Sequence, residues 1–297
     1  MSETMKIALI GGSGLGEAIV AEAGDAERRE VTTPFGKPSG PVLETTWAGV
    51  PVLVLARHGD GHTVNPSAIP HRANLLALKQ LGATHVLASG AVGSLREDLA
   101  PRQLVVPDQF IDRTDGRERT FFEQAAVHVE FADPTSRSLR QLLLDAAESV
   151  DTTVHDGGCY VCMEGPAFST AAESRMHRIL GGDLIGMTAL PEAKLAREAE
   201  LPYALVALVT DYDAWKPHDP GQDNQALLAE IIGHLQAATA AGVKLMRRAV
   251  ELAADREATL MADPLRDALK LAIWSDKAKV PRDEVEKLRP IWGRYFE

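Results

Sequence analysis

Cysteine is scarce: the 297 residues contain two, Cys159 and Cys162, both in the stretch CYVC. A zinc site would need a second Cys or His pair at suitable spacing, and none follows this C-x-x-C. The surrounding GCYVCMEGP reads as a strand, in which residues i and i+3 point to opposite faces. Both are expected to be ordinary buried thiols in a disulfide-free, cytoplasmic protein. Positive charge is also short, with 31 Lys and Arg against 42 Asp and Glu, a net charge of -11. This argues against nucleic acid as a partner, since non-specific binding needs clustered Lys and Arg. It leaves room for an anionic substrate, because a site can be locally positive in a negative protein. No apolar run reads as long enough to cross a membrane, and the opening MSETMKIALIGGSG lacks a signal-peptide pattern, so no membrane association is expected. Repeats and low-complexity segments are missing as well.

What is present is the balance of a globular protein, 45% apolar and 25% charged. Apolar, β-branched runs at 6–12, 51–59, 84–94, 103–112 (interrupted by Pro107), 183–189 and 203–211 predict strands. Helical patterns at 72–82, 134–150, 191–201 and 224–256 separate or follow them. Such alternation predicts an α/β fold, a mixed, mainly parallel β-sheet flanked by helices. One domain is expected over residues 1–255, with a C-terminal helical tail over 256–297.

Ligand-binding loops of such sheets gather at the carboxyl ends of the strands. The sequences found there are GGSGLG, RHGDGHT, SGAVGS, GMTALPEA and TDYDAW. The first nearly spells the dinucleotide fingerprint, but the third glycine position falls on Glu17, and starting from Gly11 puts Ser13 at the second. A glycine turn carrying a hydroxyl and backbone N–H groups suits a single phosphate better, or is simply a tight turn. Arg57 and His58 close the second strand, where the Arg fork matches phosphate oxygens. His58, His62 and His71 share no helix face and predict no metal. Met187 and Thr188 precede a helix, where Met commonly fills core and Thr commonly caps. Asp211 and Asp213 flank Tyr212 where a buried strand stops; in extended chain they face one side and could both reach a flat ligand. The alternative is an Asx-type turn closing the strand.

Nine stretches, in order over residues 5–250, carry a resemblance: IALIGGSGLG, TTPFGKPSG, LARHGDGHTVNPS, ANLLALKQLGATHV, GSLRE, DQFIDRT, EGPAFSTAAES, MTALPEAKLAREAELPYA and TDYDAW. The chain resembles the trimeric purine nucleoside phosphorylase superfamily, most closely its 5'-methylthioadenosine phosphorylase branch. The resemblance implies phosphorolysis of S-methyl-5'-thioadenosine to adenine and 5-methylthioribose 1-phosphate, with phosphate as co-substrate and neither metal nor organic cofactor. It implies that Ser13, Arg57, His58, Gly90, the Ala91 backbone and Thr188 hold phosphate. Met187 would pack under the ribose and Ser169 line the cleft. Asp211 would serve purine N7, and Asp213 would accept from the 6-amino group. A carboxyl acting as acid near neutral pH needs a raised pKa, which burial can give. Asn224, Leu227 and Leu228 would flank the 5' substituent, and His128 would enter from a neighbouring subunit of a homotrimer.

An Asp at 213 favours an amino group over a 6-oxo group, because an ionised carboxylate only accepts. The sequence departs from the family pattern at Gly90 (commonly Thr), Ala167 (Arg) and Gly186 (Asn). The polar Asn224 occupies a usually apolar 5' pocket. Methylthioinosine, adenosine or a broader purine set are the alternative substrates. Ile291, Trp292 and Phe296 in the tail read as an apolar patch for a subunit interface.

Overall fold

In the computed structural model, which describes residues 4–12, 15–23, 25–217 and 224–297, the apolar runs become strands of one sheet. These are β1 (Ile7–Gly11), β2 (Glu27–Arg29), β3 (Val42–Trp47), β4 (Val50–Ala56), β5 (His85–Ser94), β6 (Leu104–Val106), β7 (Gln109–Arg113), β8 (Val154–Asp156), β9 (Cys159–Met163), β10 (Leu184–Gly186) and β11 (Tyr203–Tyr212). The helices are α1 (Leu15–Ala23), α2 (His71–Gln80), α3 (Arg137–Asp145), α4 (Ala171–Ile179), α5 (Ala189–Glu198), α6 (Asn224–Asp255), α7 (Glu257–Met261), α8 (Arg282–Lys287) and α9 (Arg289–Trp292). Pairing is parallel for β4–β1–β5–β11, β10–β9–β7 and β6–β8, and antiparallel for β2–β3–β4, β5–β10 and β11–β6. The fold is the mixed, mainly parallel α/β sheet expected. Pro107, which cannot donate to a ladder, falls in the gap between β6 and β7.

Alternate residues of β1 and β4 enter two cores. Ala8, Ile10, Leu53 and Leu55 pack with α2, α5 and the tail. Ile7, Leu9, Val52 and Val54 pack with α3 and α6 on the other face. Covering both faces is what lets the central strands be apolar throughout. The sequence pattern did not reveal β2, whose ERR has no alternation, nor α4. Yet α4 carries a signal: Thr170 and Glu173 form a reciprocal capping box.

Two expectations need correction. Ile291 and Trp292 are not an interface patch: they are buried in the first core, the Trp292 ring 4.8 Å from both Phe122 and Phe296. The tail seals the surface that α2 and α5 leave apolar. Second, among the described residues one helix, Gln225–Asp255, is long and apolar enough by length and composition to cross a membrane. From Ala238 onward it is a core element, burying Ala238, Val243, Leu245, Met246, Ala249, Val250 and Ala253. Its N-terminal half exposes Leu228 and Ile232.

Candidate active site

The cleft begins as a gap in the sheet. One edge of β5 pairs with β11 from Val86 to Ser94. The other pairs with β1 only over His85–Ala88 and with β10 only over Gly93–Ser94. Among the described residues no strand covers Ser89–Val92 on that edge, so the backbone groups of Ala91 face an opening where strand order switches, while those of Gly90 point toward β11 and Gly90 borders the opening only through its missing side chain. Thr188 lines it: a Cβ added at Gly90 would lie 3.3 Å from Thr188 Oγ1. Thr188 precedes α5, but its side chain makes no capping bond.

Asp211 and Asp213 meet at the far end of the same strand. β11 carries a bulge between Val209 and Asp211, which re-aims the side chains that follow. A Cβ added at Gly93 would lie 3.4 Å from Asp213 Cβ and 3.7 Å from Asp211 Oδ2, so both residues border one point. Thr210 Oγ1 donates to Asp211 Oδ1 at 2.5 Å. His234 Nδ1–H donates to the Thr210 carbonyl at 3.0 Å, tying α6 to the bulge. The Asp213 N–H and the Trp215 Nε1–H both donate to the Ser94 carbonyl, at 3.0 and 2.8 Å. Asp213 Oδ2 is buried with no hydrogen-bond partner. A buried acceptor without a donor is uncommon and marks a place where a ligand group would be welcome.

Arg57 is fully buried. Its Nε and Nη2 donate to the two carboxylate oxygens of Glu192 at 2.7 and 2.8 Å, and Nη1 donates to the Ser89 carbonyl at 2.8 Å. Tyr203 Oη also donates to Glu192, at 3.0 Å. Burial opposes the guanidinium charge, but the Glu192 carboxylate outweighs it and holds the Arg57 pKa above its ordinary value. Arg57 therefore bolts the end of β4 to β5 and to the first turn of α5. The sequence shows Glu192 only as an acidic residue in a helix start; its fully buried pairing with Arg57 emerges only in three dimensions.

His58 Nδ1–H donates to the Val64 carbonyl at 2.8 Å, which leaves Nε2 as an acceptor in the neutral ring. The His62 ring stacks on it at 4.1 Å. Burial, with help from the Arg57 and His62 charges, pushes the His58 pKa down to about 4. Since the folded value lies below the ordinary 6.5, the unfolded chain binds the extra proton between those values. This contribution to stability is present above pH 6.5 and is lost as pH falls toward 4. Melting temperature measured across this window is expected to fall less steeply for His58→Gln than for the unsubstituted chain; equal slopes would contradict the tautomer and the burial.

The other predicted residues are dispersed. Met187 packs on the loop after β9, where a Cβ at Gly165 would meet its sulfur at 2.4 Å. Ser169 lies in the same loop, its hydroxyl 3.7 Å from Met163 Sδ. Gly186 is required where it stands, since a Cβ there would lie 2.0 Å from Tyr160 Oη. Leu228 is exposed on α6, and Asn224 is described only as the first residue of that helix. Ser13 lies outside the described residues. His128 is exposed on a segment bridged to the tail, its ring edge-on to Trp274 at 4.7 Å. Cys159 and Cys162 are free thiols. No group of three or more His, Cys, Asp or Glu disposed to hold a metal occurs among the described residues.

Residues 6–251 match the model of the phosphorylase superfamily. S-methyl-5'-thioadenosine phosphorylase from Geobacter sulfurreducens is 44% identical over 97% of this chain and 98% of its own. That from Thermosynechococcus vestitus is 45% identical over 99% and 100%. Among solved structures, a methylthioadenosine phosphorylase from an antarctic soil metagenomic library superposes with a TM-score of 0.88 at 37% identity, covering 98% of this chain and 99% of that one. A mutant adenosine/methylthioadenosine phosphorylase from Schistosoma mansoni, in complex with methylthioadenosine, gives 0.80 at 35% identity over 91% and 99%. The chain belongs to the phosphorylase superfamily, and within it to the S-methyl-5'-thioadenosine phosphorylase family.

Proposed function

We propose that this chain catalyses the phosphorolysis of S-methyl-5'-thioadenosine to adenine and 5-methylthioribose 1-phosphate. The observation that carries the reading is the convergence of Asp211 and Asp213 beside Gly93, with Asp213 Oδ2 buried and unpartnered. A 6-aminopurine seated there offers an exocyclic N–H to Asp213 and N7 to Asp211. An oxygen of phosphate forms the new bond to C1' as the C1'–N9 bond breaks. The electron pair leaves with the purine, and Asp211 delivers or shares the proton that neutralises it at N7.

Phosphate takes the opening at Gly90, Ala91 and Thr188, with Ser13 and His58 completing its contacts. The neutral His58 Nε2 suits the P–OH of hydrogen phosphate. Arg57, fully buried against Glu192 and Ser89, lends its positive charge from behind the opening and fixes the strand end beside it, in place of an exposed contact. Met187 and Ser169 bound the ribose, and Asn224 and Leu228 the 5' group. His128, with no role in its own chain's cleft, serves a neighbour's in a cytoplasmic homotrimer. Phosphate is a co-substrate, and neither a metal nor an organic cofactor is required.

Purine release from methylthioadenosine, adenosine and methylthioinosine, each with and without phosphate, tests this. Phosphate-dependent adenine release, fastest from methylthioadenosine, is expected. Preference for adenosine would point to a 5' pocket rebuilt around Asn224, and release without phosphate dependence would overturn the reaction.

A further inference from the structure

Arg117 lies in the loop after β7, yet its hydrogen bonding goes to the loop after β9 and to the turn that opens α5. Its Nη1 donates to the carbonyls of Met187 and Leu190 at 2.7 and 2.9 Å. Its Nη2 donates to the Glu164 carbonyl at 2.6 Å, and its Nε to Glu164 Oε2 at 2.9 Å. The Asp115 N–H holds the same carboxylate oxygen at 2.9 Å. The Arg117 side chain is 3% exposed, so these bonds are shielded from competing water. Between the joined segments, the Met187 sulfur fills the space where Gly165 has no side chain.

We propose that Arg117 is a positioning residue that locks the Met187–Thr188 turn against the loop following β9, fixing the frame on which ribose and phosphate are held. This rests on the reading of Met187, Thr188 and Ser169 as substrate contacts. Three backbone carbonyls and a carboxylate converge on one guanidinium, using four of its five N–H donors. An ammonium has three donors and no fixed fork, so Lys cannot reproduce the set. The purine, by contrast, is read at Asp211 and Asp213 beside Gly93, and the hydrogen bonds of Arg117 run instead to Glu164, Met187 and Leu190. Its loss should therefore misplace the sugar and the anion while leaving the base subsite intact.

The test compares the unsubstituted enzyme with Arg117→Met, Arg117→Lys and Glu164→Gln. The readouts are kcat, KM for methylthioadenosine, KM for phosphate, the Kd of adenine and the melting temperature. Arg117→Met is expected to raise both KM values and lower kcat, each by about 10-fold or more, because small misplacements of reacting groups are costly. Adenine binding should stay within a few-fold, Arg117→Lys should recover part of the loss, and Glu164→Gln should show a weaker form of it. Adenine binding weakened by the same factor as phosphate binding would reveal a merely structural role and overturn the proposal. So would unchanged kinetics in a folded Arg117→Met. Should that variant fail to fold, the same comparison of subsites in Arg117→Lys and Glu164→Gln decides. An unsubstituted enzyme that releases no adenine would instead overturn the assigned reaction, before any variant is made.

Discussion

Asp211→Ala is expected to slow adenine release from methylthioadenosine by about 10²–10⁴-fold, the range for loss of a positioned acid, with little change in melting temperature. The purine cannot leave as an anion without cost, and among the carboxylates bordering Gly93 only Asp211 is assigned to N7. Its geometry is prepared in advance: the bulge at Thr210 turns the strand, Thr210 Oγ1 donates to one carboxylate oxygen, and His234 anchors the bulge from α6. Removing the side chain leaves a cleft that water can fill, so the fold should tolerate it. Rate constants under saturating phosphate, together with the pH profile of kcat, check this. A rate within a few-fold of the unsubstituted enzyme would remove Asp211 from the proton-transfer role. Asp211→Asn separates charge from shape: it keeps an acceptor oxygen but has no acidic proton, and is expected to fall close to the Ala variant.

The strands that build this arrangement are legible in the sequence because each is an apolar run with a breaker at its end. β1 stops at glycines, β6 and β7 are divided by Pro107, and β11 ends at its first carboxylates. The loops at their carboxyl ends were therefore readable as a set. The interactions that make those loops one site were not. Arg57 reads as a phosphate fork, but its buried bond to Glu192 spans 135 residues of sequence and has no local signature. Arg117 sits in RTDGRERTF, one cation among several, and nothing in that stretch distinguishes it from a solvated surface charge. Trp292 shows the opposite failure: an aromatic in a charged tail looks like a docking patch until the core it closes is seen. Periodicity reports which face of an element is buried, not what it is buried against.

Asp213→Asn is expected to shift preference from 6-aminopurines toward 6-oxopurines. In the unsubstituted enzyme the unpartnered, buried Asp213 Oδ2 is a pure acceptor when ionised. A 6-oxo group brought against it sets acceptor on acceptor, and each such mismatch costs about 1–3 kcal/mol. The Asn amide restores a donor for O6 and can still turn its oxygen toward an amine. The loss for methylthioadenosine should therefore be smaller than the gain for methylthioinosine. The ratio of their kcat/KM values is expected to move by about 10- to 100-fold toward the 6-oxo substrate, the range such hydrogen-bond differences span. The Asp213 N–H bond to Ser94 is a backbone contact that the substitution keeps, so the turn should hold its shape. An unchanged ratio would mean that Asp213 does not read the 6-position. Discrimination would then have to come from Asp211 alone, whose preference for a protonated N7 is common to both purines and cannot separate them.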